Sequence, residues 1–243
     1  MTQPVGRVAL LDAARGFALL HMVAFHFLFD LRMLGVPPGW IAYGPWFDNG
    51  WNRAIAGSFL FLAGVSLWLA HGDGIRWRGF LTRLGILAAA AGAVSLGTYL
   101  AVPEAWVRFG ILHSIAACSV LCLAVLRLPW WLTTAAAIAL LVWGPGLSFP
   151  AFDGAAWVWT GLGQVHAPMI DYEPVVPWIA PMMLGVAAGR LGTARGLWAR
   201  LARVEGGRLG AALGWAGRHS LVIYLLHQPL LMGGILGWLW LMR

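Results

Sequence analysis

Charge is scarce in this chain. Lysine is absent, so all sixteen basic residues are arginine, and aspartate plus glutamate number nine in 243 residues. Charged side chains make up 10% of the sequence, against about a quarter in an ordinary soluble domain. That deficit, with 60% hydrophobic residues and a mean hydropathy of +0.77, excludes a water-soluble globule and leaves an all-α polytopic membrane protein. Cysteine is nearly missing too. Cys118 and Cys122 lie four apart in one apolar run, a pattern that supports neither a disulfide framework nor a metal site. Both are read as packing residues, and no metal is expected. Internal repeats and low-complexity segments are also absent, so residues 1–243 are read as one domain. The first apolar run contains Asp12 and Arg15 and has no small-residue cleavage site, so it is read as a retained helix and not a signal peptide.

Seven runs remain that are long and apolar enough for helices: about 8–34, 51–71, 80–101, 107–126, 130–149, 175–191 and 219–241. A span needs roughly 20 such residues. PPGW (37–40) and the stretch from Pro150 to Pro174 are read as loops. RGLWARLARVEGGR (195–208) places Leu197, Leu201 and Val204 at helical spacing between arginines, which predicts an amphipathic helix lying on the membrane surface. With seven spans, eleven arginines, Arg7 and Arg218 among them, fall on one side, and Arg32, Arg53, Arg108 and Arg243 fall on the other. The arginine-rich side is the cytoplasmic one, so the N-terminus is placed inside and the C-terminus outside. The strongly basic balance is thereby assigned to topology and anionic headgroups, with no nucleic acid as partner.

The informative feature is a set of ionisable groups inside the first run. Such groups cost several kcal/mol near a bilayer centre and mark a functional path. At 100° per residue, with Asp12 at zero, Arg15 falls at about 300°, His26 at about 320° and Asp30 at about 0°. All four share one face, while His21 falls at about 180°, on the opposite one. Asp12 is expected to pair with Arg15, and Asp30 to pair with His26. His21 is expected to be a satisfied packing histidine. Arg15 and His26 stand about 16 Å apart along the helix axis.

Other runs offer partners. His113 in FGILHSIA sits about as deep from the outer face as His26. In RHSLVIYLLHQP, residues Ser220, Tyr224 and His227 fall at about 0°, 40° and 340°, again one face, and Gln228 adjoins them. Pro229 there, and Pro177 and Pro181 in the sixth run, free backbone carbonyls by kinking their helices. Trp40, Trp46, Trp51, Trp157 and Trp159 crowd the outer edge, where an interfacial belt accounts for them.

The segments LDAARGFALLHMV (11–23), FLFLAGVSL (59–67), FGILHSIA (110–117), DYEPVVPWIAPMMLGVAAGR (171–190) and GRHSLVIYLLHQP (217–229) occur in order along the chain. Together they resemble the catalytic-domain family of heparan-α-glucosaminide N-acetyltransferase, in its shorter bacterial form. The spacing of Arg15 and His26 also resembles that of membrane acyltransferases that modify cell-surface sugars. The resemblance implies a multi-pass protein of the bacterial inner membrane. It would transfer an acetyl group from cytoplasmic acetyl-CoA to a sugar or glycolipid on the far side. Lysosomal members of the family carry their catalytic histidine in the loop after the first matching helix. No histidine falls between His26 and His71 here, so that residue has no counterpart.

Acyl transfer needs a base for the attacking amine or hydroxyl and a donor for the developing oxyanion. His26 is the expected base, with Asp30 orienting its ring. His113, Tyr224 and His227 are the candidates for oxyanion donor or second proton carrier. Arg15, held by Asp12, and the loop arginines Arg76, Arg78 and Arg83 are the candidates for gripping CoA phosphates. Two other readings use the same residues. A b-type haem protein would take His26, His113 or His227 as axial ligands, with His26 and His113 the matched pair. A proton-coupled transporter would use the polar stripe as its path, but the inverted repeats that would support it are missing.

Overall fold

The computed structural model describes residues 8–36, 38–39, 41, 43–204 and 206–242. Arg7, Trp40 and Arg243 lie outside the described residues, as does Pro37 of the PPGW loop. Among the described residues there is no strand, only an isolated bridge between Phe109 and Tyr172. Helices form in all seven expected regions: α1 (Ala9–Met33), α2 (Asn52–His71), α3 (Trp77–Ala101), α4 (Ile111–Val125), α5 (Trp130–Trp143) and α6 (Val175–Ala194), with the last region, α9 (Ser220–Leu241), following two shorter helices described below. Five are long and apolar enough to cross a bilayer, α2 being extended backward by a π-helical turn at Trp46–Trp51. The other two, α4 and α5, are apolar but shorter. α4 starts late because a distant carboxylate sets its beginning: the Asp171 side chain accepts the Ile111 amide at 3.0 Å. α5 gives way to a 3₁₀ turn at Gly144–Gly146, where Pro145 lacks the amide that an α-helix would use.

The surface helix expected over 195–208 does not form as one element. The chain makes a five-residue helix, α7 (Leu197–Leu201), then turns, and a twelve-residue helix, α8 (Gly207–Arg218), follows. Gly207 adopts a left-handed φ of 58°, which glycine tolerates and a helix interior does not. The leucine spacing that suggested one helix therefore runs across a break. In α6 the residue before Pro177 is the irregular one: Val176 has φ −99° and ψ 123°, as the ring of a following proline favours.

The chain divides into two compact units, Met1–Phe59 with Trp198–Arg243, and Leu60–Leu197. In the first, Leu19, Met22 and Phe25 of α1 pack with Phe47 of the π turn and Ile55 of α2, and Ile223 and Tyr224 of α9 close the cluster. Aromatic stacking gives it shape: the Phe25 ring lies 5.0 Å from Phe47 and 5.7 Å edge-on to Trp51. α8 lies directly on α1. A side chain at Gly16 would overlap the Leu213 carbonyl, and one at Gly217 would overlap the Asp12 carbonyl. Small residues at such a crossing let two membrane helices approach backbone to backbone.

In the second unit α6 packs on α4 and α5, and α3 on α4. Its polar groups are tied down internally. Trp68 donates its indole N–H to Thr193 at 2.9 Å. Arg190 lies over the Trp68 ring at 5.3 Å and donates to the carbonyls of Leu126 and Leu128, beyond the end of α4. Cys118 and Cys122 are buried free thiols, consistent with packing.

The α8 contact generates a test of its own. Gly217→Val is expected to lower the melting temperature in detergent, since overpacking typically costs about 1–3 kcal/mol. Gly237→Val, where a side chain would meet nothing within 4 Å, is expected to leave it nearly unchanged. Equal melting temperatures for the two variants would mean that α8 does not seat on α1 this closely.

Candidate active site

The first unit holds six of the predicted residues, Asp12, Arg15, His26, Asp30, Tyr224 and His227, together with Gln228, which the sequence marked only as a neighbour of His227. His26 projects from α1 and His227 from α9, their ring centroids 4.9 Å apart. Nε2 of His227 lies 3.1 Å from Nδ1 of His26. Hydrogen positions follow from the neighbours. Nδ1 of His227 faces the Tyr224 carbonyl at 2.6 Å, and Nδ1 of His26 faces the Met22 carbonyl at 3.1 Å. A carbonyl only accepts, so each Nδ1 carries its hydrogen in the neutral ring. His227 then offers the Nε2 lone pair, and the Nδ1–H of His26 is shared between that nitrogen and the Met22 carbonyl. Nε2 of His26 is left with a free lone pair and makes no hydrogen bond among the described residues. An imidazole with one nitrogen held as a donor and the other open is set up as a base.

Asp30 does not orient His26. Both of its oxygens accept from the Gln228 amide nitrogen, at 2.8 and 3.0 Å, and the residue is 1% exposed. The predicted i, i+4 pair fails because the His26 ring turns back toward Met22 one turn earlier. Gln228 was legible only as a neighbour of His227. Helical phase says which face a residue occupies, not which helix lies opposite. Further along α1, Arg15 donates to Asp12 at 2.7 Å as expected. Asp12 is buried, while the Arg15 side chain is a quarter exposed. Tyr224 packs beside the pair, its ring 5.7 Å from that of His227.

His21 is a packing residue. It accepts the Trp51 indole N–H at 3.2 Å and lies edge-on to Phe17. His113 belongs to the second unit, where both of its nitrogens are engaged. Nδ1 accepts the Gly110 amide at 3.3 Å and Nε2 meets the Ser95 hydroxyl at 3.3 Å, which in turn donates to the Val107 carbonyl. That arrangement supports a structural histidine. The matched pair foreseen for haem was His26 with His113, yet His26 touches His227. Two imidazoles in direct hydrogen-bond contact are not placed to flank an iron.

Of the loop arginines, Arg76 donates to the Ala70 carbonyl at 2.7 Å, closing the end of α2. Arg78 and Arg83 do not lie in a loop: both fall within α3, which begins at Trp77, and Arg78 is exposed. Of the acidic residues between α5 and α6, Asp171 caps α4 and Glu173 is 5% exposed. Trp46, Trp157 and Trp159 are exposed, as a belt requires.

His26→Ala is expected to lower turnover by about 10²–10⁴-fold, the usual loss for a general base, while His21→Ala, five residues away, retains most activity. Matched losses in the two variants at equal expression would refute the assignment of the base to the His227-facing side of α1.

Comparison with curated proteins and with solved structures returns no match. A family profile described as "Heparan-alpha-glucosaminide N-acetyltransferase, catalytic" matches residues 7–229, which takes in α1 from before its first turn through His227 and Gln228 of α9. That family is one of membrane acetyltransferases, in agreement with the apolar helices. Its span over most of the sequence means that the chain belongs to the heparan-alpha-glucosaminide N-acetyltransferase catalytic family.

Proposed function

We propose that this protein moves an acetyl, or related acyl, group from cytoplasmic acyl-CoA to an amine or hydroxyl of an extracytoplasmic sugar or glycolipid. It would act as one domain of a bacterial inner-membrane protein whose N-terminus faces the cytoplasm. The observation that carries the chemistry is the His26–His227 contact, which leaves the His26 Nε2 lone pair open. In this scheme Nε2 takes the proton of the attacking group as its heteroatom bonds to the acyl carbon. The thioester C=O electrons move onto oxygen. They return as the C–S bond breaks, and the departing thiolate takes the proton back from His26. His227 accepts the Nδ1–H throughout and steadies the transient imidazolium, a role often given to a carboxylate. Tyr224, whose ring lies 5.7 Å from that of His227 on the same face of α9, is assigned to the oxyanion. His113 keeps a structural role, and Asp30 acts through Gln228.

Donor binding is assigned to the other end of the α1 stripe. Arg15 is partly exposed beside buried Asp12, and a guanidinium suits phosphate better than a point charge does. Arg76, Arg78 and Arg83 add positive charge at the start of α3, where they would attract polyanionic CoA. About 16 Å of helix separates Arg15 from His26, a length comparable to half a hydrocarbon core. Arg190, already committed to carbonyls, takes no part.

Two measurements bear on this. Arg15→Lys is expected to raise the apparent constant for acyl-CoA and leave that for the acceptor unchanged; the reverse split would move Arg15 to the acceptor side. In oriented vesicles, turnover is expected with acyl-CoA supplied to the cytoplasmic face and an amino-sugar acceptor to the other. Turnover only when both share one face would overturn the transmembrane scheme.

A further inference from the structure

We propose that Gln228 positions the attacking group of the acceptor: its Oε1 takes one hydrogen of a primary amine while Nε2 of His26 takes the other. Asp30 is the positioning residue behind it. The proposal rests on the acyl-transfer reading above and deepens it, by naming the residue that tells a primary amine from a secondary amine or a hydroxyl.

Two rungs join α1 to α9. His26 meets His227 with 3.1 Å between the nitrogens, and one turn further along α1 Asp30 meets Gln228. The rungs stand about 6 Å apart along the α1 axis, and Gln228 follows His227 directly in the chain. A donor with two hydrogens, each bond roughly 2.9 Å long, bridges acceptors that lie up to about 6 Å apart. That reach matches the spacing of the rungs.

The site is one hydrogen short. Gln228 turns Nε2 toward the Asp30 carboxylate, at 2.8 and 3.0 Å from its two oxygens. A carboxylate only accepts, so the amide is held against turning over and Oε1 is turned away from Asp30. An asparagine at position 30 would leave both amide orientations open, which gives the carboxylate, 1% exposed and costly in a membrane helix, its use. Oε1 itself is buried and has no hydrogen-bond partner among the described residues, a condition that costs stability. None of the other three side chains has a hydrogen to give it. His26 shares its Nδ1–H between His227 and the Met22 carbonyl, His227 gives its own to the Tyr224 carbonyl, and the carboxylate has none. The missing donor comes with the ligand.

A primary amine carries two hydrogens beside the lone pair that attacks. One passes to His26 as the C–N bond forms. The other stays on nitrogen, donates to Gln228 throughout, and ends as the N–H of the product amide. A hydroxyl or a secondary amine has a single hydrogen, which His26 must take, so Gln228 is left without a donor. A site built to receive a hydrogen bond discriminates strongly against a ligand that cannot supply it.

The experiment uses the full-length protein in nanodiscs, acetyl-CoA, and methyl glycosides of 2-amino sugars, each paired with its 2-(N-methylamino) counterpart. The wild type is expected to favour the primary amine by at least about tenfold in kcat/KM. Gln228→Met keeps the side-chain length, and with it any steric bar to the added methyl group, but lacks Oε1. The preference is then expected to fall to about threefold or less. That variant leaves Asp30 unpaired, so Asp30→Leu combined with Gln228→Met removes both partners together, which a protein interior tolerates better, and is expected to show the same fall. Asp30→Asn, the mildest change, is expected to lie between, since the amide can turn over, and it decides the matter should the others fail to fold. A purely structural Gln228 would lower both rates together and leave the preference at its wild-type value. That result in the variants that fold, or equal rates for the two amines in the wild type, overturns the proposal and leaves acyl transfer standing. Transfer to neither amine by the wild type overturns the acyl-transfer reading, and the role of Gln228 falls with it.

Discussion

A polar atom inside a hydrocarbon layer has no water to bond, so each must find its partner within the protein. Along α1 that constraint is met four times in succession. Asp12 takes Arg15 from its own helix; His21 takes the indole of Trp51; His26 takes His227; Asp30 takes Gln228. The last three come from other elements, and they draw the π turn and α9 against α1. The aromatic core of Phe25, Phe47 and Trp51 then fills the space those contacts define. Apolar packing alone offers little direction in lipid, whose tails are as apolar as leucine. Hydrogen bonds supply the register that packing lacks.

One nitrogen escapes the pattern. Like the buried Oε1 of Gln228, the Nε2 of His26 makes no hydrogen bond among the described residues. Its partner ring is neutral and accepts only one hydrogen, so the pair can hold a proton without forming a permanent buried ion pair, which carries a large desolvation penalty. A carboxylate in the place of His227 would orient the ring equally well, but it would bring a full charge to that depth. The imidazole does the orienting without it.

Much of this was legible in the sequence. The apolar runs located the five helices long enough to cross a bilayer and the two shorter ones, α4 and α5, and helical phase alone separated His21 from His26. The same phase placed Tyr224 and His227 on one face of α9. What failed had a common cause. Periodicity reports the face a residue occupies and is silent about the neighbouring element, so Asp30 was given to His26 when Gln228 held it. Capping from a distance is similarly invisible: Asp171 lies sixty residues from the amide it accepts. The surface helix over 195–208 was lost because leucine spacing ran on through Gly206 and Gly207, where the backbone turns. The true neighbour of α1 was the glycine-rich helix after that turn.

That helix sets a measure of length. Only His219 separates the end of α8 from the start of α9, and the α8 glycine at 217 is seated on the carbonyl of Asp12. From this common origin the two arms are counted out: about fourteen residues of α1 lead to His26, and about ten residues of α8 and α9 lead to His227. Two rigid rods hinged at a shared point meet again only if both counts are right. A single residue inserted between Ser220 and His227 would advance the ring by about 1.5 Å and swing it by about 100°. The glycine contact thus acts as the zero mark of a caliper whose jaws are the two imidazoles, and a length change in α8 or α9 would be read out at His26 without altering any residue of the site.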